Sequence, residues 1–114
     1  MIYIPNRGDV AWMDFGPPLG HEQAGKRPAI ILSHYNYNRL IGLLVCCPIT
    51  SRLKEYPFEV EIPSGLNVHG AVLSDHIKSL DWRHRNLSFI CQAPESLVLE
   101  VLAKVQSVIG SAIT

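Results

Sequence analysis

The chain has 114 residues, 47% of them hydrophobic, with a mean hydropathy of +0.14. That fits one domain over residues 1–114 with a real apolar core, and it excludes a disordered chain. Ten Lys and Arg balance ten Asp and Glu for a formal net charge of zero, which argues against a partner held by a uniformly basic surface.

Short apolar segments bounded by Gly, Pro and Asn run along most of the chain and predict strands. The first is expected over 10–15, between Gly8-Asp9 and Gly16-Pro17-Pro18. The second, over 28–33, and the third, over 43–49, are nearly continuous apolar runs, as in strands buried on two sides. Over 57–62, Phe58, Val60 and Ile62 alternate with Glu59 and Glu61, so one face meets the core and the other meets water. A fifth strand is expected over 70–74, and the ambiguous stretch 75–91 is expected to end in another over 87–91.

The C-terminus reads as a helix. Pro94 suits the first helical position and Glu95 suits the positive end of the dipole. Leu97, Val101, Val105 and Val108, flanked by Leu102 and Ile109, form an apolar stripe, and Gly110 ends it. The sum is a mainly β (α+β) fold, a strongly curved antiparallel sheet or partly open barrel closed by a C-terminal helix.

Cys46, Cys47 and Cys91 include an adjacent pair and no Cys-x-x-Cys spacing, so neither a disulfide framework nor a zinc ribbon is expected. They read as small apolar fillers of buried strands. His34, His69, His76 and His84 lack ligand spacing, so no metal or other cofactor is expected. Residues 1–7 hold no long apolar core, and no run approaches the ~18 apolar residues of a membrane span. The expectation is a cytoplasmic protein with no membrane partner.

Charge is uneven despite the balance. Residues 21–54 carry Lys26, Arg27, Arg39, Arg52 and Lys54 against the single acid Glu22. Residues 20–28 are the most unusual part of that stretch, with His21, Glu22, Gln23, Lys26 and Arg27 within seven positions. Pro28 biases Arg27 toward extended geometry at the mouth of the second strand. A carboxylate and a guanidinium at one loop are the groups that metal-free phosphodiester cleavage needs, a base for a ribose 2′-OH and a cation for the phosphate. The same residues also fit a solvated hairpin with an incidental ion pair. Trp82-Arg83-His84-Arg85 supports two readings as well: a base-stacking, phosphate-gripping patch, or a Trp82 buried in the core or at a subunit contact beside solvated arginines.

The string Gly20-His21-Glu22-Gln23-Ala24-Gly25-Lys26-Arg27-Pro28 resembles the signature of the MazF/PemK (Kid) toxins of type II toxin–antitoxin systems, closest to the MazF branch. Gly8-Asp9-Val10-Ala11-Trp12, Cys47-Pro48-Ile49-Thr50-Ser51, Tyr56-Pro57-Phe58-Glu59-Val60, the stretch from Asp75 to Arg83 and Ala93-Pro94-Glu95 extend the likeness in order over nearly the whole chain.

The resemblance implies a small SH3-like antiparallel barrel with a C-terminal helix, the fold that CcdB toxins share. It implies a metal-independent endoribonuclease that cuts single-stranded mRNA at a short sequence and leaves 2′,3′-cyclic phosphate and 5′-OH ends. Glu22 matches the general base, Arg27 the transition-state cation or acid, and Thr50 a hydroxyl holding the scissile phosphate. His21 matches a histidine of the Kid branch and Asp75 that branch's base. An arginine of that branch falls on Leu73, so Asp75 is read as contacting substrate. Gln23, Lys26, Lys78, Trp82, Arg83 and Arg85 are the other expected RNA contacts. The implied partners are a second copy in a homodimer and a co-encoded MazE-like antitoxin, with DNA reached only through that antitoxin. A non-catalytic CcdB-like gyrase inhibitor and an SH3-like interaction module are the alternatives, and the Glu22–Arg27 combination favours the nuclease.

Overall fold

The computed structural model describes residues 2–17, 20 and 24–110. Seven strands and two helices follow in the order β1 (Asp9–Asp14), β2 (Lys26–Ile31), α1 (Tyr35–Ile41), β3 (Leu43–Thr50), β4 (Glu59–Glu61), β5 (Ala71–Leu73), β6 (Lys78–Asp81), β7 (Ser88–Gln92) and α2 (Glu95–Ile109). Every strand pairing is antiparallel. The order β4-β5-β3-β2-β1-β7 is an open path, with β6 added on β3. The sheet is therefore open, the looser of the two forms that the apolar pattern allows.

β3 organises the site. One of its edges meets β2, with Ala29 opposite Pro48 and Ile31 opposite Cys46. The other edge is shared, β6 covering Leu43–Cys46 and β5 covering Ile49 and Thr50. Gly70 makes the second arrangement possible. Its φ is +115°, and a Cβ there would lie 2.0 Å from the Thr50 carbonyl oxygen, so only glycine lets β5 lie against the end of β3.

The continuous apolar runs have a direct cause, because the sheet has a core on each face. Val10, Ile30, Cys47, Ile49, Val60 and Val72 pack under α2 with Leu97, Val98 and Val101. Met13, Ala29, Ile31, Leu44, Cys46 and Trp82 form the core of the opposite face. Alternate residues of β2 and β3 thus go to different cores, and neither strand keeps a polar face.

Three elements differ from expectation. Pro94 is the N-cap of α2 and not its first turn, its carbonyl accepting from Leu97 N at 3.0 Å. Val98 joins the buried stripe while Val108 and Ile109 are exposed, because α2 outruns the sheet beneath it. The short helix α1 has no apolar stripe. It is held through buried Asn38, whose amide donates to Pro5 O at 2.8 Å and accepts from Ser33 Oγ at 2.6 Å. The third is β6, which the ambiguous stretch 75–91 concealed.

Candidate active site

The β1–β2 hairpin is closed at its base by backbone bonds. Phe15 N donates to Gly25 O at 2.9 Å, and Gly25 N to Gly16 O at 2.8 Å. Arg85 clamps the same end, donating from Nη1 to Asp14 O at 3.1 Å and accepting from Asp14 N at 3.1 Å. His21, Glu22 and Gln23 lie outside the described residues. Just after them, half-buried Arg27 donates from Nε to Ala24 O at 2.7 Å. Arg27 and Lys26 line a cleft of about 380 Å³ with Trp12, Ser51, Asn67 and His69.

Thr50 lies at the end of β3. The paired part of β2 and β3 ends with Ala29 opposite Pro48, two residues short of Arg27 on one strand and of Thr50 on the other, so both lie at the same end of the pair. The buried Thr50 hydroxyl accepts from Arg52 N at 3.1 Å, so it caps the turn leaving β3 and keeps its own proton to donate. Thr50 lines a second cleft, of about 230 Å³, with Arg52, Lys54, Tyr56, Glu59, Leu73, Asp75 and His76. Ile49 and Ser51, on either side of it in sequence, line the first cleft. Arg27 and Thr50 thus line different clefts at the same end of the β2–β3 pair.

The second cleft is shaped by a carboxylate that strand alternation assigned only to the solvent face. Glu59 accepts from Lys54 N at 3.0 Å and from Glu55 N at 2.8 Å, which folds the loop carrying Arg52 and Lys54 back over β4. Across the cleft the Tyr56 hydroxyl donates to Asp75 Oδ1, and His76 Nε2 lies 3.9 Å from the same oxygen. Burial first, and the Asp75 bond second, push the Tyr56 phenol well above its ordinary value, so it remains a donor at neutral pH. Leu73 is buried in the cleft wall, and the positive charge there comes from Arg52 and Lys54. The sequence shows these as scattered residues; the signal that joins them is the turn after Thr50.

Lys78 and Arg85 both lie near Cys46, where their charges partly oppose the rise that burial imposes on its thiol. The run 82–85 does not form one patch. Trp82 is 6% exposed, packs in the core opposite α2 and donates from Nε1 to Asn38 O at 2.9 Å. This corrects its assignment as a base-stacking residue. The Arg83 guanidinium lies over the Trp82 ring at 5.1 Å and donates from Nη2 to Arg39 O at 2.7 Å. Arg83 thus braces α1 while staying exposed, and Arg85 is engaged at the end of β1. The exposed tryptophan is Trp12, 40% accessible and paired with Pro28 beside Arg27. Alternation within β1, where Trp12 and Asp14 face out between buried neighbours, was the signal for it. Among the described residues no group of three or more His, Cys, Asp or Glu is placed to hold a metal ion. No described helix is long and apolar enough to cross a membrane.

An open antiparallel sheet, one C-terminal helix and a cationic hairpin base at the strand end that also holds Thr50 define a small, mainly β domain with its candidate site at one end of the sheet. The chain belongs to the family described as PemK-like, MazF-like toxin of type II toxin–antitoxin system, which it matches over residues 6–109. It is 45% identical to the endoribonuclease toxin MazF of Escherichia coli K12 over 109 residues, covering 95% of this chain and 96% of that one. A crystal structure of MazF from Deinococcus radiodurans superposes with a TM-score of 0.93 at 47% identity, covering 96% of this chain and all of the other. A MazE–MazF structure from the same organism superposes at 0.87 and 47% identity, covering 97% of this chain and all of the other.

Proposed function

We propose that this chain is a toxin endoribonuclease that cuts single-stranded RNA, messenger RNA included, at a short sequence, and that its reagents are Glu22, Arg27 and Thr50. The observation that carries the reading is the relation between Arg27 and Thr50, which close neighbouring strands at the base of the loop holding Glu22. In the reaction Glu22 takes the proton of a ribose 2′-OH, which attacks the adjacent phosphorus. The bond to the 5′-oxygen breaks, leaving a 2′,3′-cyclic phosphate and a 5′-OH end. Arg27 stabilises the charge that grows on the phosphorane oxygens, and Thr50 donates its hydroxyl proton to one of them. His21 or Arg27 supplies the proton of the leaving group. This chemistry needs no metal. Gln23, Lys26, Asp75, Lys78 and Arg85 grip the RNA, and Trp12 offers a stacking face beside Lys26 and Arg27.

The working form is a cytoplasmic homodimer, for which exposed Phe89, Leu99 and Ile109 leave apolar surface on a small domain. A co-encoded MazE-like antitoxin with an acidic, flexible tail competes with RNA for the groove and provides the only link to DNA. The test is incubation of the purified chain with a long single-stranded RNA in excess EDTA, with the ends mapped by primer extension. Discrete cuts ending in 2′,3′-cyclic phosphate are expected. Intact RNA with folded protein overturns the nuclease, and cleavage lost on chelation overturns the metal-free chemistry.

A further inference from the structure

We infer that the cleft lined by Thr50, Tyr56 and Asp75 is a base-reading subsite in which Asp75, held by Tyr56, accepts the exocyclic amine of an adenine or cytosine in the bound RNA. The inference rests on the RNA-cleaving reading and deepens it by assigning sequence selectivity to particular atoms.

The cleft's size and its charges both point this way. Its volume of about 230 Å³ falls below the roughly 300–1,000 Å³ of pockets that enclose drug-sized ligands, which suits one planar base. Two carboxylates line it, and their duties differ. Glu59 is committed to the backbone N–H groups of Lys54 and Glu55. Asp75 has Tyr56 and His76 on Oδ1, and no hydrogen bond from the described residues reaches Oδ2. The phenol of Tyr56 is steadied in turn by edge-on packing against Phe58, with ring centroids 6.3 Å apart.

An ionised carboxylate only accepts hydrogen bonds, so it repels the phosphates and turns toward donors on the bases. Adenine and cytosine each present an amine beside a bare ring nitrogen. Asp75 Oδ2 takes the amine, and one of the side-chain donors Arg52, Lys54 or His76 meets the ring nitrogen. Uracil sets carbonyl oxygens on either side of its single N–H, where a carboxylate repels them. Guanine's paired N–H donors call for both carboxylate oxygens, and Oδ1 is already engaged.

The test uses short 2′-O-methyl RNA oligonucleotides, which cannot be cut by 2′-OH attack, with each position varied in turn and binding read by fluorescence anisotropy. The full chain should prefer adenine and cytosine at one position by about 10-fold, the selectivity of one well-formed base contact. Replacing adenine by purine, which lacks the amine, should cost the same factor. Asp75→Ala should abolish both differences, because it leaves no acceptor for the amine. Tyr56→Phe, which keeps the ring and loses only the hydroxyl, should weaken both differences and guards against a misfolded Ala variant. Selectivity unchanged in both folded variants overturns the inference, as do a preference for guanine at the Asp75-sensitive position, equal weakening of every oligonucleotide, and no oligonucleotide binding by the parent chain. Selective binding without cleavage of unmodified RNA would sink the nuclease and leave the subsite standing. Cleavage whose selectivity ignores Asp75 would do the reverse.

Discussion

Arg27 Nε donates to the carbonyl of Ala24, three residues back, at 2.7 Å. That bond uses one of the five N–H donors of the guanidinium and aims the planar fork from the end of β2 into the cleft it shares with Trp12 and Ser51. Arg27→Ala should lower the cleavage rate on a fixed RNA by about 100-fold or more, the effect of removing one preorganised charge-stabilising donor. Arg27→Lys should not restore it, since an ammonium has no Nε to tether while its remaining donors meet the phosphate. Single-turnover rates on folded variants check this, and a lysine variant of near-normal rate would refute the tether.

The two tryptophans should separate stability from binding. Trp82→Ala removes a core side chain and should cost about 3–5 kcal/mol in denaturant unfolding. Trp82→Phe removes one of two donors to the Asn38 carbonyl, which Gly42 N still serves at 3.0 Å, and should cost about 0.5–1.5 kcal/mol. Trp12→Ala should leave the unfolding midpoint nearly unchanged and weaken binding of uncleavable RNA. A Trp82→Ala protein as stable as the parent would contradict the core assignment.

Gly70 is predicted to tolerate no side chain. Gly70→Ala combines a φ of +115° with a clash against the Thr50 carbonyl. It should cost at least ~1–3 kcal/mol and disturb Thr50 itself, so activity should fall even at temperatures where the variant stays folded. Circular-dichroism melting alongside a cleavage assay checks both effects.

The cysteines give a pH-dependent signature. Burial, with Asp75 as the lesser cause, pushes the Cys47 thiol up to about 12, and burial drives Cys46 higher still. The thiolate is the reactive form, so at pH 8 iodoacetamide should label half-buried Cys91 first and spare Cys46 and Cys47 until the protein unfolds. The sign for stability follows. Both thiols stay protonated in the folded chain, whereas unfolded thiols ionise near a pKa of ~8.5. Their stabilising contribution is complete below that pH and declines progressively as pH rises through the unfolded value toward about 12 for Cys47. Peptide mapping of labelled native protein and unfolding midpoints across that range check both statements.

Local sequence was enough for much of the fold. Short apolar runs between Gly, Pro and Asn marked β1, β2, β3 and β7, and the stripe through Leu97 and Val101 marked α2, because strand and helix periodicity are properties of neighbouring residues. The motif order from Gly8 to Glu95 carried the family. Tertiary structure decided what depends on residues distant in sequence. α1 exists because Asn38 bonds to Pro5 and Ser33, and β6 because Leu44 and Val45 offer an edge opposite Leu80 and Ser79. Trp82 and Trp12 could not be ranked by composition, since a tryptophan is amphipathic enough for core or surface. Only the packing of sheet against α1 buried one and left the other beside Arg27. The cleft of Thr50, Tyr56 and Asp75 belongs to the same class, assembled from three segments by the way β5 takes over from β6 on the edge of β3.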